Sequence, residues 1–245
     1  MTLTLKASDI TLITSQSLNR PVPPTTDLPT RLTEPPKRAR RKDARPGELL
    51  QAALSLFIEK GYAATRAEEV AKRAGVSKGT LFLYFDSKEE LFKAVVRENL
   101  SGYFSAWNAE FAAFEGSSAD MVKEAMTQWW LRVGSTPAGG LSKLMMSEAS
   151  NFPELAAFYQ QEVMQPGHDL LRRILLRGVA RGEFRDIDVQ YGVYTMLAPM
   201  MFLATWVHSM GKVCTANDSF DPLKYLMTQA DNILQGLCVR PDTRK

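Results

Sequence analysis

The stretch Gly75-Val76-Ser77-Lys78-Gly79-Thr80-Leu81-Phe82-Leu83-Tyr84-Phe85 decides the fold. Gly75 can adopt the positive φ that a chain needs on leaving one helix. Ser77 can cap the next helix by accepting hydrogen bonds from its unpaired N–H groups. Leu81, Tyr84 and Phe85 then recur at i, i+3 and i+4, so one face of a short helix is apolar. Its start, Ser77 to Thr80, holds small and cationic residues that can approach a polyanion, the pattern of a helix that reads DNA from its N-terminal end.

Upstream, Thr65 followed by Glu68 has capping-box spacing and predicts a second helix, on which Ala67, Val70, Ala71 and Ala74 form a stripe of small residues. Small side chains let two helices cross closely. Ala71, Gly75 and Leu81 therefore supply the three requirements of a helix-turn-helix: a close crossing, a tight turn and an apolar anchor. Before this unit, Leu50, Ala53, Leu54 and Phe57 keep helical spacing, with Pro46 suited to a first turn and Gly61 to an ending. After it, Ser87 with Glu90 predicts another capping box. Leu91, Phe92, Val95, Val96, Leu100, Tyr103 and Phe104 extend the connecting helix that follows, until Gly116, Ser117 and Ser118 break it.

With 45% hydrophobic and 23% charged residues over 245 positions, the chain has the composition of a soluble globular protein. A net charge of +3 is too small for a protein that coats nucleic acid by charge alone. The charge is concentrated instead: Lys37, Arg38, Arg40, Arg41, Lys42 and Arg45 stand against only Asp43, just before the first predicted helix. Such a run is usually only a solvated stretch, but its position beside the reading helix points to contact with phosphates or entry into a minor groove. Residues 1–36 mix Ser, Thr and Pro without a period and read as a disordered tail.

Cys214 and Cys238 do not make a disulfide framework, and with His168 and His208 they give no metal-ligand spacing. No metal, cofactor or catalytic constellation is expected, and a reducing, cytoplasmic location fits. Lys6, Ser8 and Asp9 interrupt any apolar core near the start, so no signal peptide is expected. The apolar run Tyr191 to Val207 contains Pro199 and falls short of the roughly 20 residues of a membrane span. It reads as a buried or subunit-interface helix, and no membrane partner is expected.

The rest of the second half also reads as helical. Helices are expected around Met121 to Val133, Leu141 to Ser150, and from Pro153 to Gly182 with a kink or break near Gln165 because of Pro166. Asp186 or Asp188 can cap the helix that ends at Val207, residues 213–220 read as a loop, and Asp221 with Pro222 opens a last helix to about Leu237. Trp129, Trp130, Met145, Met146, Phe158, Tyr159, Met196 and Met200 are candidates to line a ligand site, although aromatic and Met residues at helical spacing equally suit a core. His168, beside a proline, reads as a surface or capping residue.

From Leu49 to Phe92, and above all from Thr65 to Phe92, the sequence resembles the DNA-binding domain of the TetR family of transcriptional regulators. The resemblance implies an all-α fold: an N-terminal three-helix helix-turn-helix domain followed by a helical-bundle ligand-binding and dimerisation domain. The expected divisions are 1–44 for the tail and basic run, 45–92 for the DNA-binding domain with its connecting helix reaching about 115, and 116–240 for the bundle. The implied partners are a double-stranded DNA operator, an unknown small-molecule effector and a second copy of the chain. Carried onto this sequence, the resemblance implies that Lys78, Gly79 and Thr80, after the capping Ser77, reach base edges or nearby phosphates. It also implies that Thr65 and Arg66 touch the backbone, and that Tyr84 and Lys88 clamp phosphates. Two positions depart from the family pattern. Phe82 stands where Tyr is frequent and reads as a packing residue; Leu83 stands where a polar residue or His is frequent and can instead touch a thymine methyl. The function implied is a ligand-responsive regulator, a repressor released by a hydrophobic or aromatic effector. The competing readings are an enzyme built in the bundle, which lacks a visible acid–base pair, and an architectural DNA binder indifferent to sequence.

Overall fold

Local capping decides where most helices begin. The computed structural model describes residues 37–214 and 220–239, and the backbone alone at 37–45, 212 and 214. The expected tail 1–36 and positions 215–219 of the expected loop lie outside the described residues, as do the side chains of the basic run and of Cys214, while residues 213 and 214 end a short helix instead of starting a loop. The first unit comprises α1 (Lys37–Lys60), α2 (Ala67–Arg73), α3 (Lys78–Phe82) and α4 (Lys88–Val96), and α5 (Tyr103–Ala112) leads away from it. The second half comprises α6 (Ser118–Trp129), α7 (Gly139–Glu148), α8 (Pro153–Tyr159), α9 (Gln165–Ala180), α10 (Val189–Val207), α11 (Gly211–Cys214) and α12 (Pro222–Leu237). The fold is all-α. Among the described residues the one extended pairing is an isolated antiparallel bridge between Phe184 and Cys238.

Ser77 Oγ accepts from Thr80 N at 3.0 Å and Ser87 Oγ from Glu90 N at 3.1 Å, so both predicted caps open their helices. Asp188 and Asp221 do the same for α10 and α12, each bonding two backbone N–H groups of the first turn. Gly75 takes φ +68° in the turn between α2 and α3, where Val76 N donates to Ala71 O at 2.9 Å.

Two starts differ from expectation. The first helix begins at Lys37, with Pro46 inside it at the expense of one ladder bond, so the basic run continues the helix toward its N-terminus. The second begins after Arg66, because Thr65 turns the other way: its hydroxyl donates to Gly61 O at 2.7 Å and to Leu56 O at 3.2 Å, closing the end of α1. The cap is taken one residue later, where Glu69 Oε2 accepts from Arg66 N at 3.4 Å.

Leu49, Ala53, Phe57, Val70, Leu81, Leu91 and Phe92 are fully enclosed and form the centre of the first unit. Phe57, Tyr62 and Phe92 pack with ring centroids 5.3 to 5.6 Å apart, and Phe152, just before α8, adds a fourth ring 4.7 Å from Tyr62. This core therefore continues into the second half through α5, α7, α8 and the start of α9. A second cluster joins α6, α9, α10 and α12.

Three π-helical segments occur among the described residues: Arg97–Ser101, Trp130–Gly134 and Gln160–Met164. The last explains how the chain passes Pro166. With no N–H to offer the carbonyl of Glu162, the proline is preceded by a widened turn, and helix resumes as α9 without a break. Gly182, at φ +67°, ends that helix as expected. No helix among the described residues is long and apolar enough to cross a membrane.

Candidate nucleic-acid interface and internal cavity

Helix α3 is only five residues long and is held by a single buried side chain, Leu81. Val76 and Phe85 pack partly against the same core on either side of the helix, and the other side chains around the anchor turn outward. Ser77, Lys78 and Gly79 are exposed at the helix start, Tyr84 is exposed beyond its end, and Leu83 is 83% exposed. A Cβ built on Gly79 would meet only Ser77 Oγ, at 3.7 Å, so packing inside the protein does not require glycine here; the open backbone is available for close approach from outside. Lys78 Nζ pairs with Glu68 Oε1 on α2, which holds the Glu68 carboxyl below the usual range. The cation is thereby parked at the rim of α3, exposed and free to exchange its partner.

The second half contains a cavity of about 590 Å³. Helices α5 to α10 all contribute to its wall, which is largely hydrocarbon and aromatic and carries no Asp, Glu, Lys or Arg. Its polar groups are few. Ser142 Oγ and Tyr159 Oη lie 2.9 Å apart, and the rings of His168 and Tyr194 meet edge to face at 5.4 Å. Burial pushes the Tyr159 phenol up to about 12, partly offset by its Ser142 bond, so it is protonated at neutral pH. Burial lowers the pKa of His168, reinforced by the nearby charge of Arg172. Among the described residues no group of three or more His, Cys, Asp or Glu side chains could hold a metal.

Helix α7 joins the cavity to the unit that carries α3. α7 contributes Ser142, Met145 and Met146 to the cavity and ends at Glu148, whose Oε1 accepts from Ala63 N at 3.4 Å in the turn between α1 and α2. A Cβ on Gly61 would come within 3.1 Å of that same oxygen, so the glycine, at φ +86°, lets the carboxylate reach the turn.

Residues 49–95 match the family model described as bacterial regulatory proteins of the tetR family, and residues 115–210 match the tetracycline-repressor-like C-terminal domain, together more than half of the chain. The chain belongs to the TetR family of transcriptional regulators. It is 28% identical over 174 residues to the transcriptional repressor KstR2 of Rhodococcus jostii, covering 70% of this chain and 84% of that protein. It is 41% identical over 86 residues to the regulator RutR of Escherichia coli, covering 35% of this chain and 39% of that one. The crystal structure of FadR from Bacillus subtilis, in complex with stearoyl-CoA, superposes with a TM-score of 0.62 at 18% identity, covering 78% of this chain and 98% of the other. This TetR-family chain is thus a helix-turn-helix, DNA-binding transcriptional regulator with a ligand-binding regulatory domain.

Within the TetR-like reading unit, three sequence expectations need correction. Thr65 is 1% exposed, and its hydroxyl is committed to Gly61 O and Leu56 O instead of standing open at the surface. Lys88 is half-buried: Nζ donates to the carbonyls of Tyr62, Thr65 and Ala63 at 2.9, 3.1 and 3.3 Å and sits 4.4 Å from the Tyr62 ring centroid. Burial lowers its pKa, and its observed work is to tie down the turn, not to clamp a phosphate. Phe82 is not packed inside; it is 37% exposed, with Lys78 Nζ 5.7 Å from its ring. Arg66 and Tyr84 are exposed, and Thr80 is half-buried at the start of α3.

Of the eight cavity candidates, Trp129, Met145, Met146, Tyr159 and Met200 line the space. Trp130, Phe158 and Met196 do not. Neighbours on a helix point about 100° apart, which lets both Met145 and Met146 reach the space from α7 but turns Trp130 away from it beside Trp129, and Phe158 beside Tyr159. Trp130 and Met196 fill the second core cluster, while Phe158 lies beneath Arg97 and Lys93. The sequence reading missed Phe104, Trp107, Ser142 and Tyr194, and His168 belongs to the cavity wall instead of the surface. Phe104, Trp107 and Phe111 on α5 did carry a signal: an apolar face that a simple connector would not need.

Proposed function

We propose that this protein is a homodimeric repressor that holds a DNA operator through two copies of α3 and releases it when a small hydrophobic effector fills the cavity. The observation that carries the reading is the outward-facing start of α3 above a fully buried Leu81, a rigid mount with its polar and cationic groups directed at solvent. Ser77, Lys78, Gly79, Thr80 and Leu83 would meet base edges and the sugar–phosphate borders of one major groove, Leu83 through a thymine methyl. Arg66 and Tyr84 would take phosphates, with the helical basic run 37–45 reaching further along the duplex. In this reading residues 45–92 form the reading domain and 116–240 the regulatory one, joined by α5 and acting on DNA in the cytoplasm.

Dimerisation is supported by α10, on which Tyr191, Tyr194 and Phe202 stand exposed on a helix otherwise dominated by apolar residues. A two-fold axis there sets two reading helices toward half-sites of an inverted repeat. The cavity is read as a receptor site and not as an active site, in line with relatives that are themselves transcriptional regulators. Selection of duplexes from a random pool by the full chain should yield an inverted repeat bound at least about 10³-fold more tightly than unrelated DNA. Equal affinity for all duplexes would instead make it an architectural binder, and recovery of a monomer in sedimentation would remove the two-fold reading.

A further inference from the structure

We infer that the ligand is an uncharged, mainly hydrocarbon molecule bearing a hydroxyl or carbonyl oxygen, and that this oxygen is held by the Ser142 and Tyr159 hydroxyls. The inference rests on the reading of the cavity as the effector site and narrows what that site accepts. Two features of the wall define the ligand.

The first is the absence of charged lining residues around a space of about 590 Å³. A carboxylate or phosphate drawn inside would lose its hydration and find no Lys or Arg in the wall, only His168, which burial pushes toward its neutral form. The second is an unbalanced pair of hydroxyls. Each carries one O–H donor and two lone pairs, and among the described residues the only hydrogen bond of either side chain is the one they share. Whichever hydroxyl donates in that bond, the proton of the other is left without a protein acceptor, on a wall where Tyr159 is buried. A ligand oxygen supplies that acceptor, and a ligand hydroxyl can also donate to a spare lone pair. The buried phenol stays protonated at neutral pH and keeps its donor. Trp107, in the same wall, adds an indole N–H that is also buried without an acceptor.

The shape of the wall is consistent with a standing cavity. Each of the three π-helical segments contributes to it, through Leu100, Val133, and Val163 with Met164. Such widened turns displace a helix from its straight path and recur at ligand sites.

Trp107 and Trp129 line the cavity, so intrinsic fluorescence of the full chain reports its occupancy. Three probes of similar size separate the terms: dodecan-1-ol, dodecanoate and dodecane, each titrated at neutral pH. The alcohol should bind roughly tenfold more tightly than either the alkane or the carboxylate. Ser142→Ala and Tyr159→Phe together should bring the alcohol to within about twofold of the alkane, whereas either alone leaves one hydroxyl proton for the ligand and should keep most of the alcohol's advantage; an unchanged far-UV circular dichroism spectrum controls for correct folding. Equal or tighter binding of dodecanoate, an alcohol no tighter than the alkane, or an alcohol advantage that survives both substitutions would overturn the inference and leave the effector site standing. Failure of all three probes to bind would overturn the effector site together with the inference.

Discussion

Around α3 the interior is full and the functional groups lie outside; around α7 to α10 the interior holds about 590 Å³ of space and the functional groups line it. Both regions are helical and both use apolar anchors. They differ in what the packing has to do. A reading surface must present Lys78, Gly79 and Thr80 at fixed positions, which requires a close-packed support beneath Leu81. A receptor must keep apolar surface uncovered by its own chain, which α5 to α10 do with π-helical turns among them and the two hydroxyls of Ser142 and Tyr159. The shared helix α7, with Met145 and Met146 at the cavity and Glu148 against Ala63, places the two solutions in direct contact.

The contrast can be broken most forcefully at the anchor. Leu81→Ala should destabilise the reading unit by about 2–5 kcal/mol in denaturant titration, because a fully enclosed leucine leaves a void that a five-residue helix cannot close. A loss below 1 kcal/mol would mean that α3 does not depend on its buried side. A matched pair of enlargements compares the two interiors directly. Ala53→Leu, in the full core of α1, should cost about 1–3 kcal/mol, whereas Ala125→Leu, at the cavity wall, should stay within about 1 kcal/mol of the parent. Equal penalties would indicate that the cavity is not standing space.

Lys88→Met tests whether that lysine supports the fold or only touches DNA. Removing its bonds to three carbonyls should lower stability by about 1 kcal/mol with no DNA present, and an unchanged melting curve would return the residue to a phosphate-binding role. The smallest expected effect is electrostatic. Arg73 and Ser55 hold the Glu59 carboxyl down at about 2, against an ordinary value of 4.5. A depressed carboxylate contributes stability that is fully present above 4.5 and lost as pH falls toward 2. Glu59→Gln should therefore be slightly less stable than the parent at pH 7, with the gap closing between pH 4.5 and 2. A gap that widens on acidification would reverse the assignment.

The reading unit was legible because its determinants are local. Gly75, Ser77 and Ser87 each act within four residues of themselves, and the structure places their turn and caps where the sequence predicts. Thr65 misled by one position because its hydroxyl is satisfied by carbonyls of α1, a partner that capping-box spacing does not contain. Lys88 misled for the same reason, being engaged by the turn between α1 and α2. The cavity was legible only in part. Periodicity tells which residues point inward, not whether the inside is filled, so Met196 and Met200 looked alike although only Met200 lines the space. The π-helical segments also rotate the phase of each helix that follows them, and no residue pattern before Leu100 or Val133 announced them. Pro166 did announce the third, as a kink in place of which the helix widened.

Operator binding by Lys78→Ala tests the central assignment most directly. Measured against the selected operator and its single-base variants, the substitution should weaken binding by about 1–3 kcal/mol and flatten the preference at one position in each half-site, while affinity for unrelated DNA changes little. If affinity and base preference both match those of the parent chain, α3 does not read the operator.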